Sequence, residues 1–137
     1  MTILEQAVAL KDTTIALRRD LHRHPELGFE ETRTAGIVAE RLQAAGIDVT
    51  TGIGGTGVVG LLRGSQDKPV VLMRFDMDAL PIQEQTGVAY ASEIPGKMHA
   101  CGHDSHVAIG LTAASLLSQR RSELPGTIKF VFQPAEE

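Results

Sequence analysis

At Gly46 the hydrophobic period of this chain changes from about 3.6 residues to about 2, and the residues on either side set its fold class. Before it, Ala35, Val38, Ala39, Leu42 and Ala45 fall on one helical face, and Gly46 stands where a helix C′ residue belongs. A helix is predicted there from about Glu31 to Ala45. After it, Ile47-Asp-Val-Thr50 and Gly57-Val-Val-Gly-Leu-Leu-Arg63 read as short strands around the flexible Gly52-Ile-Gly-Gly55. Pro69-Val-Val-Leu-Met-Arg-Phe75 is a nearly unbroken apolar run, the pattern of a strand covered on both faces.

Upstream, Thr2-Ile-Leu-Glu5 is a capping box that opens a helix running to about residue 23, with Leu4, Val8, Ile15 and Leu21 among its buried positions. Pro25 stops it. His22 and His24 read as side chains that cap or pack around that helix end. Downstream, residues 76–104 hold several turn-formers and little periodicity, which predicts a long functional loop. Asp104 or Ser105 then caps a helix to about Arg120, striped by Val107, Leu111, Ala114 and Leu117. Arg120 and Arg121 are placed to complement its dipole. Pro125-Gly126 turns the chain into a last strand, Thr127-Ile-Lys-Phe-Val-Phe-Gln133.

The order α-α-β-β-β-α-β predicts a three-layer α/β fold with a mixed or mostly parallel sheet. A chain that closes on a strand and a turn leaves a sheet edge unpaired and one helix layer missing, so the sequence reads as truncated.

At 137 residues the chain suits one domain. A net charge of -4 gives no electrostatic reason to bind nucleic acid, and the one basic stretch, from Leu17 to His24, is broken by Asp20 and apolar residues. No run of about 18 apolar residues is available to span a membrane, and the N-terminus lacks a secretory pattern. One cysteine excludes an internal disulfide framework and fits a cytoplasmic setting.

In open α/β sheets, ligands bind at the carboxyl ends of strands. Asp76-Met-Asp78 follows one predicted strand, Glu136-Glu137 follows another, and His99-Ala-Cys-Gly-His-Asp-Ser-His106 leads into a helix N-terminus. Cys101 and His103 can project to the same side, and Gly102 lets the backbone bend around an ion. Thiolate plus imidazole suits Zn²⁺ and is tolerated by other divalent ions. Glu136 and Glu137 follow a proline closely and take different directions, so one can bind metal while the other faces a substrate as general base. Each element has a blander reading. A lone cysteine packs cores, a Glu-Glu pair is a solvated surface, and Asp76 and Asp78 can cap a turn.

His22-Arg-His-Pro-Glu-Leu27, Asp76-Met-Asp-Ala-Leu-Pro-Ile82, Met98-His-Ala-Cys-Gly-His-Asp-Ser-His-Val107 and Phe132-Gln-Pro-Ala-Glu-Glu137 occur in this order. Together they resemble the hippurate hydrolase and indole-3-acetyl-amino-acid hydrolase family of dinuclear metallo-amidohydrolases, relatives of aminoacylase and the glutamate carboxypeptidases. The resemblance implies that residues 1–137 are the N-terminal part of a zinc-peptidase-like α/β/α catalytic domain. It implies Cys101, His103 and Glu137 as metal ligands and Glu136 as general base, with two divalent ions, zinc or manganese, activating water. Asp76 and Asp78 would order the ligands and their loop, and Asp104 and His106 would support ligands or face the substrate. The substrate implied is a small N-acyl amino acid, and the full-length parent is implied to be a homodimer or homo-oligomer.

Further histidine ligands, a dimerisation domain and the rest of the catalytic domain have no counterpart in these residues. The expectation is therefore weak metal binding and little activity for the piece alone. Two other classes stay open on the residues themselves: a non-catalytic metal-binding module holding one ion at Cys101 and His103, and a thiol-dependent acyl transferase using Cys101.

Overall fold

Thr2 and Glu5 close the predicted capping box. Glu5 N–H donates to Thr2 Oγ1 at 3.2 Å and Thr2 N–H to the Glu5 carboxylate at 2.7 Å. In the computed structural model, which describes residues 1–137, the helix so opened is short: α1 is Ile3–Ala9 and α2 is Lys11–Arg23. Leu10, with ψ near 0°, tightens the chain between them, so the single helix predicted to residue 23 is two. Of its predicted buried positions only Leu21 is buried; Leu4, Val8 and Ile15 are exposed. The face that packs is Leu17, Leu21 and His22, which α2 presents towards α4, whereas α1 buries no residue.

α3 (Thr32–Ala44) starts one residue later than expected and is capped from outside the helix. Both carboxylate oxygens of Glu26 accept from its first turn, from Arg33 N–H at 2.8 Å and Thr34 N–H at 2.7 Å. Its C-terminus is as predicted. Gly46 has φ 71°, Gly46 N–H donates to Gln43 O, and Ile47 N–H donates to Leu42 O, the paired bonds of a Schellman motif.

The strands β1 (Asp48–Ile53), β2 (Gly57–Arg63), β3 (Val70–Asp76) and β4 (Thr127–Gln133) form one sheet in the order β1-β2-β4-β3. It is mixed, with β3 and β4 as its one parallel pair. Alternate residues Val58, Leu62, Phe130, Phe132 and Phe75 face the helices and pack with Leu17, Leu21, Val38, Leu42, Val107 and Leu111. These residues thus build two of the three expected layers, the sheet and one layer of helices. The expectation that β3 is covered on both faces fails: Val70, Val71 and Leu72 are 56%, 50% and 59% exposed. β3 is an edge strand, and only its C-terminal end, Phe75 and Asp76, is buried.

Residues 77–102 form the long loop predicted, with isolated bridges only, at Leu27–Ala79 and Leu80–Met98. α4 (His103–Gln119) begins before the predicted cap. Gly102, in the left-handed region at φ 86°, takes that place, while Asp104 is fully buried in the first turn. The stripe Val107, Leu111, Ala114 and Leu117 packs as expected. The guanidinium groups of Arg120 and Arg121 are engaged elsewhere, Arg120 with Glu123 and Gln6, and Arg121 with the Gly46 carbonyl past α3.

Gly110 of α4 lies where a Cβ would stand 2.8 Å from the Phe75 ring, itself stacked on Phe132 at 5.1 Å. Helix propensity alone favours alanine by about 1 kcal/mol. Overpacking a closed core costs about 1–3 kcal/mol, so it wins at this position. Gly110→Ala is expected to lower stability by about 1 kcal/mol, read as a lower midpoint in denaturant unfolding.

Candidate functional site: a cluster of metal-ligating side chains

Parallel pairing of β3 with β4 brings both carboxyl ends to one rim, with Asp76 opposite Gln133. The ladder runs on as Met77 N–H donates to Gln133 O at 3.0 Å. The chain beyond β4 is then held by a glutamate far away in sequence. Glu31, wholly buried, accepts from Ala135 N–H at 2.9 Å and from Thr56 Oγ1. Ala135 has φ 46°, and a Cβ on Gly28 would stand 3.0 Å from its Cβ, so only glycine leaves room for this turn.

Asp78 ties the pieces together. Its Oδ2 accepts from Glu137 N–H at 3.0 Å; its Oδ1 and its carbonyl oxygen lie 3.0 and 2.8 Å from His103 Nδ1. Nδ1 of His103 therefore carries the proton, and Nε2 presents its lone pair to the cluster. Three carboxylates surround that nitrogen: Glu136 at 3.5 Å, Asp76 at 3.6 Å and Glu137 at 3.8 Å. Cys101 is exposed and completes the group. Two overlapping sets of donor atoms, Cys101–His103–Glu137 and Asp76–His103–Glu136, each lie within 4.8 Å of one another.

This donor set fits a divalent cation. Carboxylates crowded around one imidazole repel one another unless positive charge sits between them. Around a tetrahedral ion with bonds of about 2.1 Å, donors stand roughly 3.4 Å apart, close to the spacings here. Sulfur, nitrogen and oxygen donors together suit zinc and admit manganese.

The electrostatics follow from the same crowding. The Cys101 thiol is held above its usual pKa, chiefly by the Glu137 carboxylate as hydrogen-bond acceptor, then by desolvation and the charges of Glu137, Glu136 and Asp76. Burial pushes the Asp76 carboxyl up, but the His106 hydrogen bond (2.7 Å) and the charges of His103 and His106 outweigh it, and its pKa lies below the ordinary value. Arg74 also donates to Asp76, at 2.8 Å.

Of the residues singled out in the sequence, Asp76, Cys101, His103, Glu136 and Glu137 meet, Asp78 supports them from beneath, and His106 does so through Asp76. Asp104 does not join them. Its Oδ2 faces His22 Nδ1 at 2.7 Å and Arg18 Nε at 3.0 Å. His22, expected only to pack at a helix end, spans Asp104 and Glu84, with Nε2 2.9 Å from Glu84 Oε1, and so pins the 77–102 loop to α2. Burial raises the Glu84 carboxyl, yet bonds from Thr86, Ser92 and His22 leave it below its usual value. Glu26, Glu31 and Glu84 escaped the sequence reading, since nothing in local spacing marks a carboxylate that accepts from backbone further along the chain, and so did Arg74, which donates to Asp76. His99 escaped it too. It is buried, neither ring nitrogen has a partner, and desolvation first of all depresses its pKa to about 4.

Fold and cluster together define an α/β protein that gathers metal-ligating side chains at the carboxyl ends of its strands. Residues 72–137 match Peptidase family M20/M25/M40. The chain is 50% identical over 124 residues to an N-acetylcysteine deacetylase of Bacillus subtilis, covering 90% of this chain and 33% of that protein. It is 48% identical over 126 residues to IAA-amino acid hydrolase ILR1-like 5 of Arabidopsis thaliana, covering 92% and 29% respectively. The crystal structure of the Bacillus subtilis YXEP protein, described as a dinuclear metal binding peptidase from the M20 family, superposes with a TM-score of 0.88 at 48% identity, over 93% of this chain and 36% of that one. The chain is thus related to peptidase family M20/M25/M40, as its motifs imply, and it spans about a third of the length of the curated relatives it matches.

A buried histidine whose folded-state pKa lies below its unfolded value binds fewer protons folded than unfolded. Stability is then lost as pH falls from the unfolded pKa towards the folded one. For His99 that window runs from about 6.5 down to about 4. Denaturant titrations at pH 7, 5.5 and 4.5 are expected to show falling stability, with part of that slope, up to about 3 kcal/mol, absent in His99→Gln.

Proposed function

We propose that these residues belong to a metal-dependent amidohydrolase that removes the acyl group from small N-acyl amino acids. The observation that carries this reading is the meeting at His103, on the open rim, of two overlapping donor sets, Cys101–His103–Glu137 and Asp76–His103–Glu136. Relatives named for an N-acetyl amino acid and for IAA-amino acids support the substrate class, and a structural relative described as dinuclear supports two ions. The activity is assigned to a protein of its relatives' length, with the 137 residues as the N-terminal part of its catalytic domain. The expected homodimer or homo-oligomer and the cytoplasmic setting belong to the same proposal, and no helix here is long and apolar enough to cross a membrane.

Cys101, His103 and Glu137 would hold metal, and Asp76 would share the second donor set with His103 and Glu136. When bound, the ions would polarise the amide carbonyl and make water more acidic. The chain's own part is positioning and proton transfer. Asp78 fixes the ring of His103 and the backbone of Glu137, so that both present lone pairs to one point. Glu136 makes no hydrogen bond within the chain and has a half-exposed carboxylate. It is free to take a proton from attacking water and pass it to the departing amine. The raised thiol pKa of Cys101 disfavours it as a free nucleophile, since the thiolate is the attacking form.

In the full-length parent, Glu136→Gln is expected to lower kcat by about 10²–10⁴-fold while bound metal per chain is unchanged. Unaltered turnover in that variant would remove Glu136 from the reaction. Chelation is expected to abolish hydrolysis of an N-acetyl amino acid, and added zinc or manganese to restore it. Activity that survives chelation but not thiol alkylation would point to Cys101 chemistry instead.

A further inference from the structure

Glu136 lies past the end of β4, where the strand ladder no longer fixes the backbone. The last bond of that ladder is the one Gln133 O accepts from Met77 N–H. Pro134 has no N–H, so the first donor beyond the strand is Ala135 N–H, and an unpaired backbone donor away from water is costly. The partner it finds is Glu31, 104 positions earlier. Glu31 is wholly buried at the N-cap of α3, a place fixed by the bonds of the Glu26 carboxylate to Arg33 N–H and Thr34 N–H. Its Oε1 accepts from Ala135 N–H at 2.9 Å, and its Oε2 accepts from Thr56 Oγ1 in the turn between β1 and β2. The seat is shaped on both sides. A Cβ on Gly57 would stand 3.2 Å from Pro134 Cδ, and one on Gly28 would stand 3.0 Å from Ala135 Cβ.

The backbone held in this way is in a conformation it does not favour unaided. Ala135 has φ 46°, in the left-handed region that a residue with a Cβ rarely adopts. Released from Glu31, Ala135 would relax to an ordinary conformation and swing the next residue, Glu136, away from the rim. Glu136 has little to resist this, since its carboxylate makes no hydrogen bond within the chain and only nears His103 Nε2 at 3.5 Å. Glu137, one residue further, is held separately, by donation of its N–H to Asp78 Oδ2 at 3.0 Å. Base and ligand are adjacent in the chain, yet they hang from different anchors.

We propose that Glu31 is the positioning residue of Glu136: it holds Ala135 in the left-handed conformation and so keeps the Glu136 carboxylate beside the metal-ligating cluster. The proposal rests on the reading of Glu136 as general base and adds how a side chain with no partner of its own is aimed. Glu31 touches no reacting atom and acts only through the backbone of the Pro134–Glu137 segment. Because Glu137 has its own anchor, loss of Glu31 is expected to impair proton transfer while the metal ligands stay in place. Misplacement of a catalytic group by about 1 Å is enough to lower a rate about 10²-fold.

The test compares Glu31→Ala, Glu31→Gln and Glu31→Asp in the full-length parent loaded with zinc and assayed on N-benzoylglycine. Glu31→Ala is expected to lower kcat about 10- to 100-fold, with KM and bound metal per chain unchanged. Glu31→Gln keeps an oxygen for Ala135 N–H and an amide that donates to Thr56 Oγ1, so its kcat is expected to stay within about threefold of the parent's. Glu31→Asp keeps the buried carboxylate but draws it back by one methylene, and a loss of about tenfold in kcat is expected; it replaces Glu31→Ala in every comparison if that variant does not fold. Undiminished kcat, or metal lost in step with kcat, overturns the proposal. Crystal structures give a readout that needs no turnover. In Glu31→Ala, Ala135 is expected to leave positive φ and the Glu136 carboxylate to move by at least about 1 Å, with Glu137 still on Asp78. An unmoved Glu136 overturns the proposal. Normal turnover in Glu136→Gln, or a parent that does not cleave N-benzoylglycine, contradicts the amidohydrolase reading instead, and the crystal structures then decide the role of Glu31 separately.

Discussion

A single buried carboxylate, that of Asp78, organises the site. A buried acid must have its oxygens satisfied, and Asp78 draws one partner from the start of α4 and another from the segment after β4. Meeting that demand fixes the tautomer of His103, the path of Glu137 and hence where their lone pairs converge. The arrangement depends in turn on the parallel pairing of β3 with β4, which puts Asp78 and Glu137 on the same rim. Geometry at the cluster is thus set by a hydrogen bond beneath it rather than by contacts among its members, which by charge alone would separate.

Much of this was legible in the chain. The change of period at Gly46, the Schellman bonds that follow and the strand from Thr127 to Gln133 are local signals, and local hydrogen bonds answer them. The residues with metal-ligating chemistry were legible for a similar reason, because each cluster sits just past a strand or at a helix start. What could not be read was order across the sheet. An apolar run such as Val70-Val-Leu72 has one pattern in a central strand and at an edge, and nothing in the run says that α4 covers only its far end. The capping box likewise announces a helix without announcing that Leu10 interrupts it. Most distant from any local signal is Glu31, whose partner Ala135 lies 104 positions on.

The histidines show how environment, more than residue type, decides role. His103 is anchored through Nδ1 and turns its other nitrogen outward. His22 is anchored through both nitrogens, to Asp104 and Glu84, and serves as a rivet between helix and loop. His99, a few residues from Cys101, is anchored through neither and stays neutral because burial excludes its charge. Around Cys101 the same principle acts on a thiol: the acids that hold its proton in place are the groups that would attract a cation able to displace it.

The position of β4 has a consequence for how the molecule comes to be folded. It lies between β2 and β3 in the sheet yet follows both in the chain, with the whole 77–102 loop and α4 intervening. During synthesis the earlier strands emerge with no neighbour between them, and neither can complete its ladder until residues 127–133 leave the ribosome. The assembly is therefore dominated by contacts distant in sequence, which slows folding and leaves apolar strand edges open in the meantime. A nascent chain of this design depends on the arrival of its central strand, and the cluster beside Glu137 can form only after that insertion.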